Sequence, residues 1–543
     1  MLSKKLLIGI AVIMIFVRAD VFFASHESAA PKLASQKLFQ GKQEEDKPGD
    51  EDSDDSNLSV SEEMPFGLSN PYDQKDDTAV KSLPEILHDL GLSKDKNGAG
   101  FVVDIIGRKK VEVKCDDAEC QYDFSQAKEL IDLVVGQGEA HLWIVIGSPS
   151  NYKFIDGKER KNEKTYLPDG LVSRQAYKDY LIALVNFVNS YGKKVSGNPD
   201  WHVVRWNLYN EVNAEYKSTF DEDIDRATTA YVNFVIDSAE VLRNLSSQSK
   251  IVLAGAGSST DLEGKHGEFY RLVFSKLKQS KLAYEPFDYW ESHWFGEVDD
   301  YAKNKAGYEA KDFINFLKNN GYGDKEFLIR AGATYSGQDS RERKHLMDNY
   351  QSEREQAEFL IKRFIYNLAN GVKKIPWSTV YEHKKYQGDL HVHFNNVGLI
   401  YNGVPNGVSK KEKCVKGWSP CPDPGYGIKK LSYYAYKKLI ETLRGSDWDD
   451  VWKIQESSGI HIYKFTKSGK PIWVAWNDNP GSQGTTISGI SSTQVKITGA
   501  VPKYESGKEV ADYNAAFNAE TKFSTSGKVS LILSGEPVFV EEK

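Results

Sequence analysis

From residue 65 to residue 380 the chain repeats one pattern: a short apolar run, then a longer segment whose apolar residues recur with helical period. The runs fall at 65–69, 101–106, 141–147, 203–209, 251–256, 287–293, 326–330 and 374–380. The amphipathic segments between them include 124–136, 174–191, 227–242, 310–319 and 353–369, and 430–443 follows the last run. Strands buried on both faces and joined by helical crossovers form parallel sheets. Eight strand-helix repeats are the number that closes such a sheet on itself, so the expectation is an α/β fold, a (β/α)8 TIM barrel over residues 64–446. The 543 residues exceed what one such barrel needs. After Trp448 the texture changes to period-two alternation at 460–465, 471–476, 495–498, 529–533 and 537–540, punctuated by Gly, Asn and Ser. Residues 447–543 therefore read as a small C-terminal antiparallel β-domain, sandwich-like, beside the barrel.

The N-terminal residues carry a different signature. Lys4 and Lys5 precede an apolar run from residue 6 to residue 17, and Arg18-Ala19 follows. This order predicts an export signal over 1–25 and a secreted or extracytoplasmic protein. A retained anchor is the alternative, and only then would the chain touch a membrane; its run of about a dozen apolar residues is short beside the ~20 that span a bilayer. Residues 26–63 are poor in apolar side chains and rich in Asp and Glu, which predicts a disordered acidic linker. The four cysteines form two local pairs, Cys115 with Cys120 and Cys414 with Cys421, a spacing that suits short-loop disulfides in an exported chain better than a zinc site. His391 and His393 read as part of an insertion loop, so no metal and no cofactor is expected. A net charge of −7 argues against a nucleic-acid partner. Aromatic residues make up 12% of the chain, including 11 Trp, enough for stacking surfaces as well as cores.

In a barrel of this kind the chemistry stands at the C-terminal ends of the strands. The fourth run, Trp206-Asn207-Leu208-Tyr209, ends in the polar pair Asn210-Glu211; the sixth ends in His293-Trp294; the eighth carries Trp377. The seventh reads Phe327-Leu328-Ile329-Arg330-Ala331-Gly332-Ala333-Thr334-Tyr335, with no acid in it.

These strand ends resemble those of clan A glycoside hydrolases, the retaining enzymes on this barrel, in the neighbourhood of families 39 and 5. The resemblance covers the chain from about residue 64 to its end. In those families an Asn-Glu pair closes the fourth strand, matched here by Asn210 and Glu211, although Val212 stands where Pro is usual. His293 and Trp294 match a His with a following aromatic on the sixth strand, and Trp377 matches the Trp of the eighth. Pro65-Phe66-Gly67, Tyr122-Asp123-Phe124, Ser148-Pro149 and the closing Gly535-Glu536-Pro537-Val538-Phe539-Val540 are smaller echoes. The resemblance implies carbohydrate as substrate or ligand, Glu211 as acid/base, and Asn210, His293, Trp294, Tyr335 and Trp377 as substrate-binding residues.

It also implies a nucleophilic Glu on the seventh strand. Aligning Ala333-Thr334-Tyr335 with the family pattern puts Ala331 at that position, and a slip of one residue puts Arg330 there. A retaining glycosidase needs two carboxyls about 5–5.5 Å apart, one to protonate the leaving oxygen and one to attack the anomeric carbon. A methyl group cannot attack. Glu291, two residues before His293 and so on the same face of its strand, and Glu382, after the eighth run, are the substitute carboxylates to weigh. Three readings stay open: a working secreted glycosidase that uses Glu211 with another nucleophile or a water, a non-catalytic carbohydrate-binding protein that keeps the pocket, or a Glu-to-Ala replacement at 331 introduced to trap substrate.

Overall fold

A computed structural model describes residues 63–71, 77–116, 119–146, 154–155, 158–159, 167, 171–212, 223–257, 260–296, 300–338, 350–382, 396–403 and 425–543. The expected export signal at 1–25, nearly all of the linker at 26–63, and the pair Cys414 and Cys421 lie outside the described residues, as do His391 and His393.

Eight parallel strands form one sheet: β1 (Glu63–Ser69), β2 (Ala99–Ile105), β3 (His141–Ile146), β4 (Arg205–Leu208), β5 (Lys250–Ala256), β6 (Tyr289–Phe295), β7 (Glu326–Ala333) and β8 (Ile375–Trp377). They pair in sequence order, and β8 pairs with β1. The Ile329 amide donates to Lys374 O at 3.0 Å and the Lys373 amide to Phe327 O at 3.1 Å, which brings β8 against β7 and closes the barrel. Among the described residues the helices between and after the strands include α1 (Leu83–Leu90), α2 (Ser125–Ile131), α3 (Leu171–Ser196), α4 (Ile224–Leu245), α5 (Lys265–Gln279), α6 (Ala310–Asn319), α7 (Glu353–Ala369) and α8 (Leu431–Leu443). The fold is the (β/α)8 barrel that the alternation predicts, and α6 and α7 have the expected bounds.

Local chemistry sets the helix starts. Ser352 Oγ accepts from the Glu355 amide at 3.1 Å while Glu355 Oε2 accepts from the Ser352 amide at 2.6 Å, a reciprocal cap that fixes the first turn of α7. Asp223 caps α4 by accepting from the Arg226 amide at 3.0 Å. Inside the barrel, Phe101, Val103, Trp143, Val145, Val252 and Leu328 fill the lower axis, with Phe101 stacked on Trp143 at 4.1 Å. The outward faces of the strands pack on the helix ring. Among the described residues no helix is long and apolar enough to cross a membrane.

The antiparallel sheet begins at Ser446. It comprises β9 (Ser446–Ser457), β10 (Ile460–Lys467), β11 (Lys470–Asn477), β13 (Gln494–Gly499), β14 (Ala519–Phe523) and β16 (Val538–Glu542), in the order β9-β10-β11-β16-β13-β14. A two-stranded sheet of β12 (Gln483–Ser488) and β15 (Lys528–Leu533) covers part of one face. Alternation explains how both faces are used. Ile460, Ile462 and Trp473 point into a sandwich core with Ile487, Val529 and Leu531, whereas Tyr463, Phe465, Val474 and Trp476 belong to the core shared with the barrel.

Candidate functional site

Glu211 stands three residues beyond Leu208, the last residue of β4. Its φ is 51° and that of Tyr209 is 85°, a left-handed conformation that L side chains other than Asn and Asp seldom adopt. Such strain costs on the order of 1–3 kcal/mol per residue and persists only where the surroundings enforce it. Here the Tyr209 amide donates to Ile146 O at 2.6 Å, and the buried Tyr209 ring packs edge-on against Phe234. The effect is to turn the Glu211 carboxylate over the barrel mouth, beside Gly257.

Two residues of β6 project inward below it. His293 Nδ1 lies 2.7 Å from Glu211 Oε1. His293 Nε2 faces the Arg330 guanidinium, whose Nε–H donates to it at 3.0 Å. An arginine only donates, so Nε2 is the acceptor from Arg330, and Nδ1 faces Glu211. Arg330 also donates to Asn210 Oδ1. Deeper on the same face, the fully buried Glu291 accepts from the Gly255 amide at 2.9 Å and from Asn207 Nδ2 at 3.3 Å, and lies 3.4 Å from Arg330 Nε. Gly255 cannot be replaced, because a Cβ there would sit 1.4 Å from the Glu291 carbonyl oxygen.

The hydrogen bond from His293 is the main influence on the Glu211 carboxyl. Burial opposes it, the positive charge of the neighbouring side chains, Arg330 among them, adds to it, and the carboxyl is held well below its ordinary value. Those surroundings favour the ionised form of Glu211.

A smaller contribution comes from β7. Ser292 pairs with Ile329 and His293 with Ala331, so Arg330 is an extra residue, a β-bulge. Leu328 lies in the barrel interior. Gly332 faces the helices, where a Cβ would collide with the Arg363 guanidinium at 2.2 Å. The bulge thus leaves both Arg330 and Ala331 on the barrel side. Where a second carboxylate would hold a proton on Glu211 by repulsion, the strand presents a guanidinium and a methyl group.

The other expected residues separate into two groups. Asn210, Glu211, His293 and, beneath them, Glu291 come together with Arg330, whose part as hub was not expected from the strand pattern. Trp294 corrects the expectation that it lines the pocket. One residue past the inward-facing His293, it points to the helix ring, fully buried, 5.8 Å from the Phe313 ring and 5.6 Å from Arg363 Cζ. Trp377 is likewise fully buried, its indole N–H donating to Val397 O at 3.0 Å and its ring against Phe359 of α7. Tyr335 has no exposed surface. None of the three offers a free ring face to a sugar in this conformation. Glu382 is fully buried 2.5 Å from Lys430 Nζ, held as an ion pair rather than as a free nucleophile. Among the described residues no group of three or more His, Cys, Asp or Glu is placed to hold a metal ion.

No family model matches the chain, and no curated protein matches it in sequence. Solved structures do match it in fold, among them family 39 glycoside hydrolases. A family 39 glycoside hydrolase from the gut symbiont Bacteroides cellulosilyticus WH2 superposes with a TM-score of 0.57 at 13% identity, covering 89% of this chain and 82% of that one. A family 39 β-xylosidase from Caulobacter crescentus gives a TM-score of 0.50 at 14% identity over 88% of this chain and 96% of that one. A conserved exported protein from Bacteroides fragilis gives 0.51 at 12% identity over 88% and 96%. What the chain shares with them is the fold.

Proposed function

We propose that this chain is a carbohydrate-binding protein on a glycoside-hydrolase barrel, and that it does not cleave its ligand by double displacement. One observation carries the reading: the bulge on β7 puts Arg330 and Ala331 on the barrel side, in a stretch from Phe327 to Tyr335 that holds no carboxylate. A methyl group forms no glycosyl-enzyme bond. Glu291 and Glu382, the substitute carboxylates, are committed to buried partners. Glu211 and Asn210 remain as hydrogen-bonding groups for sugar hydroxyls.

Calorimetric titration with a panel of oligosaccharides, with reducing-sugar release followed in the same samples, tests this. Binding without release is expected, and Glu211→Gln should weaken it. Release by the unaltered protein would overturn the reading in favour of a working glycosidase with Glu211 as acid/base.

The chain is further proposed to be exported, its N-terminal segment serving as the signal and its cysteines forming disulfides. Supporting the first bridge, Cys115 pairs directly with Cys120 across the Glu112–Asp116 and Glu119–Tyr122 hairpin, a separation that disulfide geometry accommodates. Thiol titration of the denatured, unreduced protein should then find no free cysteine.

A further inference from the structure

The β-domain exposes an aromatic ring that its own packing does not use. Along β9, Val451 packs on the core shared with the barrel, and Lys453 Nζ donates to Asn370 Oδ1 at 2.7 Å at the end of α7. Trp452, between them, points the other way, onto the face that carries Ile460, Ile462 and Trp473. The sheet of β12 and β15 covers those three but stops short of the edge, leaving Trp452 55% and Ile454 49% exposed.

The ring is nonetheless held. Its indole N–H donates to Asp450 Oδ1, and the other oxygen of Asp450 accepts from Thr466 Oγ1 at 2.6 Å. The Lys464 ammonium lies 5.2 Å from the ring centroid. A flat, oriented ring with a carboxylate and a hydroxyl at its rim and an ammonium over one face leaves the other face to stack on the C–H side of a pyranose, whose hydroxyls the polar neighbours can bind. A stable protein interface buries roughly 800 Å² per partner, far more than Trp452 and Ile454 present.

We propose that Trp452 is a second carbohydrate-binding surface, distinct from the barrel mouth, on which one sugar ring of a polysaccharide stacks while Asp450 and Lys464 bind its hydroxyls. The proposal rests on the reading of the barrel as a carbohydrate site, since a remote platform serves to hold a long chain near that mouth.

Affinity electrophoresis of the full chain in native gels containing soluble xylan, mixed-linkage β-glucan or galactomannan tests it, with calorimetry on short oligosaccharides reporting on the barrel separately. Wild-type protein should be retarded by at least one polymer, Trp452→Ala should lose about tenfold in polymer affinity, and Trp452→Tyr should recover part of it. Short-oligosaccharide binding should be unchanged in both variants and weakened in Glu211→Gln. Equal retardation of wild type and Trp452→Ala, or retardation of neither, overturns the platform. In either case the barrel reading stands or falls on the oligosaccharide titration alone. A self-association detected by light scattering and abolished by Trp452→Ala would instead assign the patch to a second copy of this chain and also overturn it. Trp452 is surface-exposed, so an unchanged melting temperature confirms that the variants are folded.

Discussion

The two ends of the barrel axis each hold a carboxylate among cations, but they differ in how completely it is enclosed. At the N-terminal end, Glu63 accepts from the Trp143 indole at 2.6 Å and from Arg205, with Lys374 Nζ 3.3 Å away. Its side chain is only 9% exposed. The Arg205 guanidinium lies 4.5 Å from the Trp143 ring centroid and 5.1 Å from that of Tyr289. Burial would raise the Glu63 pKa, yet Arg205 and Lys374 overrule it and bring it to about 2. At the C-terminal end Glu211 has a similarly depressed pKa, but among the described residues its hydrogen-bond partner is His293, and its side chain is 41% exposed. The lower cluster spends its charges on one another; the upper one leaves its carboxylate facing outward. That difference separates a staple from a cluster open to a ligand.

The contrast can be broken by mutation. Glu63→Gln should have the largest effect, because it leaves Arg205 and Lys374 buried without their anion; removing one partner of such a pair costs about 3–5 kcal/mol, to be read from denaturant unfolding. Arg330→Met at the upper end should cost less, about 1–3 kcal/mol, since Glu291 keeps its donors from Gly255 and Asn207. The same variant should raise the Glu211 pKa above 2, followed by carboxyl NMR, because one of the charges that lower it is gone.

Acid titration of stability sharpens the comparison further. Both carboxyls have folded pKa values lowered from 4.5 to about 2, so their contribution is present above pH 4.5 and is lost as pH falls toward 2. Glu63→Gln should flatten that acid limb clearly. Glu211→Gln should flatten it little, because solvent screens a group so exposed. Equal flattening by both would show that the upper cluster is as much a staple as the lower.

The barrel was legible in the sequence because parallel strands buried on both faces leave apolar runs, and capped amphipathic helices such as α7 announce their ends. In the β-domain, β12 and β14 escaped because their residues are largely exposed and carry no apolar alternation. Asn210, Glu211 and His293 were legible from their places at strand ends. The facing of Trp294 followed from alternation after His293, but family likeness pointed the other way. The bulge at Arg330 had no sequence signal, since one residue added within a strand leaves its composition unchanged and alters only which side chains face inward. The left-handed turns at Tyr209 and Glu211 were hidden for a similar reason: no Gly or Asn marks them.

The most direct test is the hydrolysis of nitrophenyl glycosides by the wild type and by Ala331→Glu, side by side, with Ala331→Gln as a folding control. On the proposed reading, a glutamate at 331 would supply a nucleophile and, by its charge, push the Glu211 pKa upward toward that of a proton donor. The account predicts no turnover by the wild type or by Ala331→Gln and measurable turnover, with retention of configuration, by Ala331→Glu. Turnover by the wild type that Glu211→Gln abolishes would contradict it.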